Sequence, residues 1–112
     1  MEIHTRKVGD VHVLDISGKI TLGEATAKIR HTISDLLENG GKKIILNLTD
    51  VNYVDSSGVG ELVRTYNTVT KEGKELKLLN LTKKIRELLV ITRLLTVFQV
   101  YESEPAAVAS FA

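Results

Sequence analysis

The residues best suited to chemistry in this chain stand together as Val51-Asn52-Tyr53-Val54-Asp55-Ser56-Ser57-Gly58-Val59-Gly60. Two adjacent hydroxyls, a carboxylate and two glycines follow an apolar run, Ile44-Ile45-Leu46-Asn47-Leu48, and precede an amphipathic run beginning near Val59. A polar hinge between strand and helix presents side-chain hydroxyls. The N–H groups of a helix's first turn lack intrahelical partners and carry partial positive charge, so a phosphate placed on a serine there meets free donors and a favourable dipole. Ser and Asp before a helix are also ordinary N-caps, and capping alone accounts for their presence. No capping box completes that simpler reading, because Val59 and Gly60 stand three residues after Ser56 and Ser57, where Glu or Gln is required. Glycine in a first turn costs about 1 kcal/mol relative to Ala, and Gly58 and Gly60 suit close approach by another backbone better than helix stability. The hinge is expected to receive a partner.

Competing chemistries lack their residues. A hydrolase built on Ser56 needs a base and an orienting group. His4, His12 and His31 stand in no recognisable catalytic setting, and Asp-Ser-Ser-Gly is not the Gly-x-Ser-x-Gly elbow. The same histidines have no metal-ligand spacing, and no Gly-x-x-x-x-Gly-Lys-Ser/Thr phosphate loop is present. No cofactor is expected. Without cysteine there is no disulfide, thiol nucleophile or Cys-based zinc site. A formal net charge of +1 and no Lys/Arg run give no footprint for nucleic acid. Neither an apolar signal core nor a run near the ~20 residues of a membrane span occurs, so a reducing cytoplasm is the expected location.

The elements that must position the hinge read clearly. At 112 residues, with 43% apolar and 26% charged residues, residues 1–112 are expected to form one small soluble domain with a single core. Residues 11–17 alternate in period two, with Val11, Val13, Asp15 and Ser17 on one side and His12, Leu14 and Ile16 on the other; Gly18 closes this strand. Residues 2–8 form a preceding strand through a Gly9-Asp10 turn, and residues 19–23 read as a loop. Ala25, Ile29, Ile33, Leu36 and Leu37 mark a helix over 24–38, ended by Asn39-Gly40-Gly41. Residues 43–48 are a nearly continuous apolar strand, as an interior position requires. Val59, Leu62, Val63, Tyr66 and Val69 mark the helix after the hinge, ending near Glu72-Gly73. Residues 75–79 are a strand. Leu81, Ile85, Leu88, Leu89 and Ile91 mark a third helix, residues 97–101 a last short strand, and Pro105 opens a terminal helix. Strands alternating with helices give an α/β class: a mixed, mostly parallel sheet of four to five strands, with an antiparallel edge, packed with about four helices.

On these segments the chain resembles the STAS domain of the bacterial anti-sigma factor antagonist (anti-anti-sigma factor) family. The resemblance rests on Ile44-Ile45-Leu46-Asn47-Leu48, Val51 and Tyr53-Val54-Asp55-Ser56-Ser57-Gly58-Val59-Gly60. Leu78-Leu79-Asn80-Leu81, Ile85-Arg86-Glu87-Leu88-Leu89 and Val97-Phe98 carry it onward. It covers essentially the whole chain. Asp-Ser-Ser-Gly is short as a pattern and gains specificity from the strand, helix and chain length around it.

The resemblance implies a phosphorylation switch without catalysis of its own. The first serine of the motif, here Ser56, is the implied phosphoacceptor. Dephosphorylated, such a protein binds an anti-sigma factor, often a serine kinase with a GHKL-type ATP site, and frees a sigma factor. The kinase then phosphorylates the antagonist and releases it, and a metal-dependent, PP2C-type phosphatase resets it. Phosphate adds about −1.5 to −2 charges at pH 7, which disfavours a partner surface fitted to a neutral hydroxyl. In this scheme Asp55 orients the loop or helps the kinase engage it, or is a plain turn residue, Ser57 is the helix cap, and Gly58 and Gly60 permit close approach. The face around Glu61, Arg64 and Thr65 is either partner-facing or plain solvated surface. The Thr21–Glu24 loop is the other expected contact. Thr21 stands where the family often has an acidic residue, and Arg93 where it commonly has glycine. Arg93 therefore either takes the left-handed conformation at about 1 kcal/mol or the helix runs on by a turn. The alternative function is a STAS scaffold in a sensory complex or a transporter-associated subunit in which Ser56 is never phosphorylated.

Overall fold

A computed structural model describes residues 1–111. In chain order the elements are strand β1 (Glu2–Val8), strand β2 (Val11–Ile20), helix α1 (Glu24–Glu38), strand β3 (Lys43–Val54), helix α2 (Ser56–Lys71), strand β4 (Glu75–Leu79), helix α3 (Lys83–Ile91), a 3-10 turn (Leu95–Val97), strand β5 (Val100–Tyr101) and helix α4 (Glu104–Ala109). The strands form one sheet in the order β1-β2-β3-β4-β5. β1 is antiparallel to β2, and the other three pairings are parallel. β3 lies at the centre, which explains its apolar run: Ile44, Ile45, Leu46 and Leu48 are all fully buried, on both faces of the sheet.

The two faces carry unequal layers. Leu14, Ile16, Leu46, Leu48 and Leu78 pack with Ile29 and Ile33 of α1, Leu62 and Val69 of α2, and Ile85 and Leu89 of α3 in the main core. Across the sheet, Val11, Val13, Ile45 and Leu79 meet Ala107 and Phe111 in a smaller cluster under α4. Apolar residues on the helical stripes of α1 and α2 therefore face the sheet, as the 3.6-residue period requires.

Several boundaries differ from the sequence reading, each for a packing reason. Gly18 does not close β2; it takes φ 94° at a register shift, and the strand runs on to Ile20. β3 likewise continues past Leu48 to Val54, because Val51 and Val54 are buried and pair with Gly18 and Ile20. The anticipated hinge is thus divided between strand and helix: residues 51–54 end β3, Asp55 alone links them, and α2 begins at Ser56, three residues before Val59. Ile91 is 77% exposed and lies off the core stripe of α3, while Leu81 precedes that helix. The last strand is only Val100–Tyr101, preceded by the 3-10 turn and by Phe98, whose ring packs edge-on against Tyr66 with centroids 5.4 Å apart.

Candidate functional site

The C-terminal ends of β2 and β3 meet where α2 begins. Asp55 is the single residue between β3 and α2, and it is the N-cap: its Oδ1 accepts from the Gly58 N–H at 2.8 Å with extended backbone. This corrects the assignment of the cap to Ser57, which is the second residue of the helix. A residue must lie just outside the helical turn for its side chain to reach back to the third N–H, and Asp55 holds that place. The Asp55 N–H in turn donates to the Ile20 carbonyl at 3.4 Å, tying the start of α2 to the end of β2.

Ser56 is therefore the first helical residue, and it is exposed. With the Gly58 N–H satisfied by Asp55 and the Val59 N–H by the Asp55 carbonyl at 3.0 Å, the unpaired first-turn donors are those of Ser56 and Ser57. The hydroxyl is presented at the positive end of a 16-residue helix.

The two glycines have different duties. Gly58 is buried, and a Cβ there would run into the Ile20 carbonyl oxygen and come within 2.9 Å of Val54 Cγ1. The close approach anticipated at position 58 is thus made by the chain's own β2. Gly60 is exposed, with open space where its Cβ would be.

The face of α2 is corrected as well. Glu61 is 4% exposed and Thr65 2%, so neither projects from the surface. Glu61 Oε1 accepts from Arg30 Nη2 at 2.7 Å, joining α2 to α1; burial without that cation would be costly. Arg64 is exposed. In the loop before α1, Thr21 is half-buried and Glu24 exposed.

The fold brings Ser57, Gly60, Glu61 and Arg64 together with Leu22, Thr26 and Arg30 around a shallow hollow of about 250 Å³ between α1 and α2. Thr21, Leu22 and Glu24 line an adjoining hollow of about 280 Å³. Leu22 and Arg30 were not singled out in the sequence. The available signal was weak: an apolar residue in a loop, and one of the two cations, with Lys28, on α1. No histidine lines either hollow among the described residues, and no group of three or more His, Cys, Asp or Glu residues could hold a metal. No helix of the described residues is long and apolar enough to cross a membrane.

An exposed serine thus stands at a capped helix start, beside a strand end that tolerates no side chain at position 58. The chain belongs to the STAS domain family, whose family model matches residues 2–107. It is 39% identical over 85 residues to the anti-sigma-B factor antagonist of Bacillus subtilis, covering 76% of this chain and 75% of that protein. Its fold is similar to that of a putative anti-sigma factor antagonist of Thermotoga maritima (TM-score 0.86, 24% identity, 96% and 92% of the two chains). It is also similar to the Bacillus cell fate determinant SpoIIAA in its phosphorylated form (TM-score 0.77, 22% identity, 99% and 100% of the two chains).

Proposed function

We propose that the protein is an anti-sigma factor antagonist switched by phosphorylation of Ser56. The observation that carries this reading is the exposed hydroxyl at the first position of α2, held by the Asp55 cap and by Gly58 against Ile20. The likeness to the Bacillus subtilis anti-sigma-B factor antagonist supports it. The unphosphorylated form binds an anti-sigma factor that is itself a serine kinase, and the sigma factor is released. Asp55, Ser57, Gly58, Gly60 and Arg64, with Thr21 and Glu24, frame the contact; Asp55, Gly58 and Glu61 act by shaping it. A PP2C-type phosphatase restores the hydroxyl. The protein works in the cytoplasm and has no catalysis of its own: it supplies a hydroxyl, and the kinase supplies the chemistry.

The phosphate fits where it forms. The Ser56 and Ser57 N–H groups and the helix dipole stabilise it, so the fold of α2 survives modification and only the surface changes. Peptide mapping of the protein from its own cells, in growth and under stress, tests the switch. A phosphate on Ser56 whose occupancy changes with condition is expected, with Ser56→Ala binding the anti-sigma factor constitutively and Ser56→Asp binding it poorly. Ser56 unmodified in every condition would sink the switch and leave the scaffold or transporter-associated role.

A further inference from the structure

We infer that the C-terminal end of α3 is a self-association surface, on which two copies of this chain pair weakly with their α3 helices antiparallel. The inference stands apart from the role proposed for Ser56.

Five large apolar side chains are left exposed among the described residues, and three of them, Val90, Ile91 and Val97, lie at the end of α3 and in the 3-10 turn after it. The core does not require them there. Ile85 and Leu89 are the buried residues of α3, while Ile91 is 77% exposed. Helix formation does not require them either, because β-branched side chains lose rotamer freedom in a helix and straight-chain polar residues suit its surface better.

Arg93 adds a second oddity. Its φ of 59° is strained for a residue with a Cβ, and glycine would hold the same turn more easily. The turn serves Leu94 and Leu95 by packing them on the core, but the arginine side chain is exposed and makes no ion pair or hydrogen bond among the described residues. Strain kept at a residue without an internal contact points to an external one.

The charges select the occupant. Glu87 is also exposed and, among the described residues, also unpaired. It stands three residues before Val90, and Arg93 stands three after it. Two α3 helices packed antiparallel about a two-fold axis at Val90 therefore meet through Val90 and Ile91, and each Glu87 comes opposite the Arg93 of the other copy. Parallel packing would set like charge on like. Lys83 and Lys84, a turn beyond Glu87, fall at opposite ends of the antiparallel pair. Such self-complementarity of one patch is what a two-fold interface requires.

A nine-residue helix offers less than the roughly 800 Å² per partner of a standard interface, so the pairing is weak and reversible. α2 and α3 both begin at the edge of the sheet where the parallel strands end, and α3 finishes at the other edge. Ser56 therefore stays free on each copy, and the dimer presents two of them.

Sedimentation equilibrium of the purified protein, from about 5 µM to about 500 µM, tests this, with a reversible monomer–dimer equilibrium of Kd about 0.1 mM expected. Ile91→Asp should weaken association at least about tenfold. Glu87→Arg and Arg93→Glu should each weaken it about tenfold, and the two together should restore it, because both ion pairs are then reversed rather than lost. Arg93→Gly should move two properties in opposite directions, raising Tm in dilute solution while weakening the dimer several-fold. Melting curves and circular dichroism at low concentration show that the variants, all at exposed positions, fold. A wild type that stays monomeric at about 500 µM overturns the inference, as does Ile91→Asp associating like wild type. Single reversals that weaken association without rescue in the double variant overturn the antiparallel pairing of Glu87 with Arg93. Each of these failures leaves the antagonist reading intact.

Discussion

Gly58 and Gly60 differ by two positions and should respond oppositely to the same substitution. At Gly58 an added methyl meets the backbone of Ile20, which cannot rotate away as a side chain can. Gly58→Ala is therefore expected to destabilise the protein by about 1–3 kcal/mol, the usual cost of overpacking. Gly60 lies in α2 with open space around its Cβ position, so Gly60→Ala should stabilise by up to about 1 kcal/mol through helix propensity alone. Urea unfolding of the two variants measures both. A neutral Gly58→Ala would show that β2 and α2 separate easily, and the rigid presentation of Ser56 would then need another cause. The sequence displays two similar glycines; only the proximity of a strand 38 residues earlier distinguishes them, since one abuts Ile20 and the other abuts nothing.

At the scale of elements, α1, α2 and α3 end in the same way. The residues after their C-caps, Gly40, Gly73 and Arg93, have φ of 87°, 74° and 59°. Each chain end folds back so that an N–H reaches a carbonyl five residues earlier: Gly41 to Leu36, Lys74 to Val69 and Leu94 to Leu89, at 2.8, 3.2 and 2.8 Å. Of the two options open for Arg93, the left-handed turn is the one adopted, and α3 stops at Ile91. The turn is kept because Leu94 and Leu95 pack against the main core, and running the helix on would withdraw them. Arg93→Gly should therefore raise stability by about 1 kcal/mol, or about 4 °C in Tm for a chain of this size. Scanning calorimetry reads it, and an unchanged or lower Tm would mean that the arginine side chain has a compensating contact.

For the whole molecule, the thin side of the sheet is pinned by charge. Arg6 of β1 donates from Nε to Asp15 Oδ2 at 2.7 Å and also pairs with Glu104 at the start of α4. Asn47 Nδ2 donates to Asp15 Oδ1 at 2.8 Å. Nearby, Lys77 is buried, donates to Ser110 Oγ at 2.6 Å and lies 4.3 Å from the Phe111 ring centroid. Hydrogen bonds from Arg6, first among the causes, hold both the Asp15 and Glu104 carboxyls below their ordinary values of 3.8 and 4.5. A depressed folded-state pKa contributes stability above the unfolded value, and that stability is lost as pH falls through the folded one. The contribution is thus complete near neutrality and fades in acid, below about pH 4. Because the side chains are about a third exposed, solvent screening limits it to about 1 kcal/mol. Arg6→Gln should lower Tm by about 4 °C at pH 7, and the gap from wild type should close towards pH 3. A gap independent of pH would assign the loss to packing of the arginine stem.

By itself the sequence determined the fold class, the order of elements, the central place of β3 and the core stripes of α1 and α2. These follow from local periodicity and from turn residues, which act within a few positions along the chain. It also marked Ser56 as the hydroxyl to watch. Tertiary structure alone decided that Asp55 rather than Ser57 caps α2, that β2 passes through Gly18, and that Glu61 turns inward to Arg30. Those outcomes depend on pairings across the sheet and between helices, where partners distant in sequence compete for the same groups. Local propensity cannot weigh such contacts, and burial settles them: a strand continues wherever its neighbour offers hydrogen bonds, and a charge goes inside wherever a counter-charge meets it.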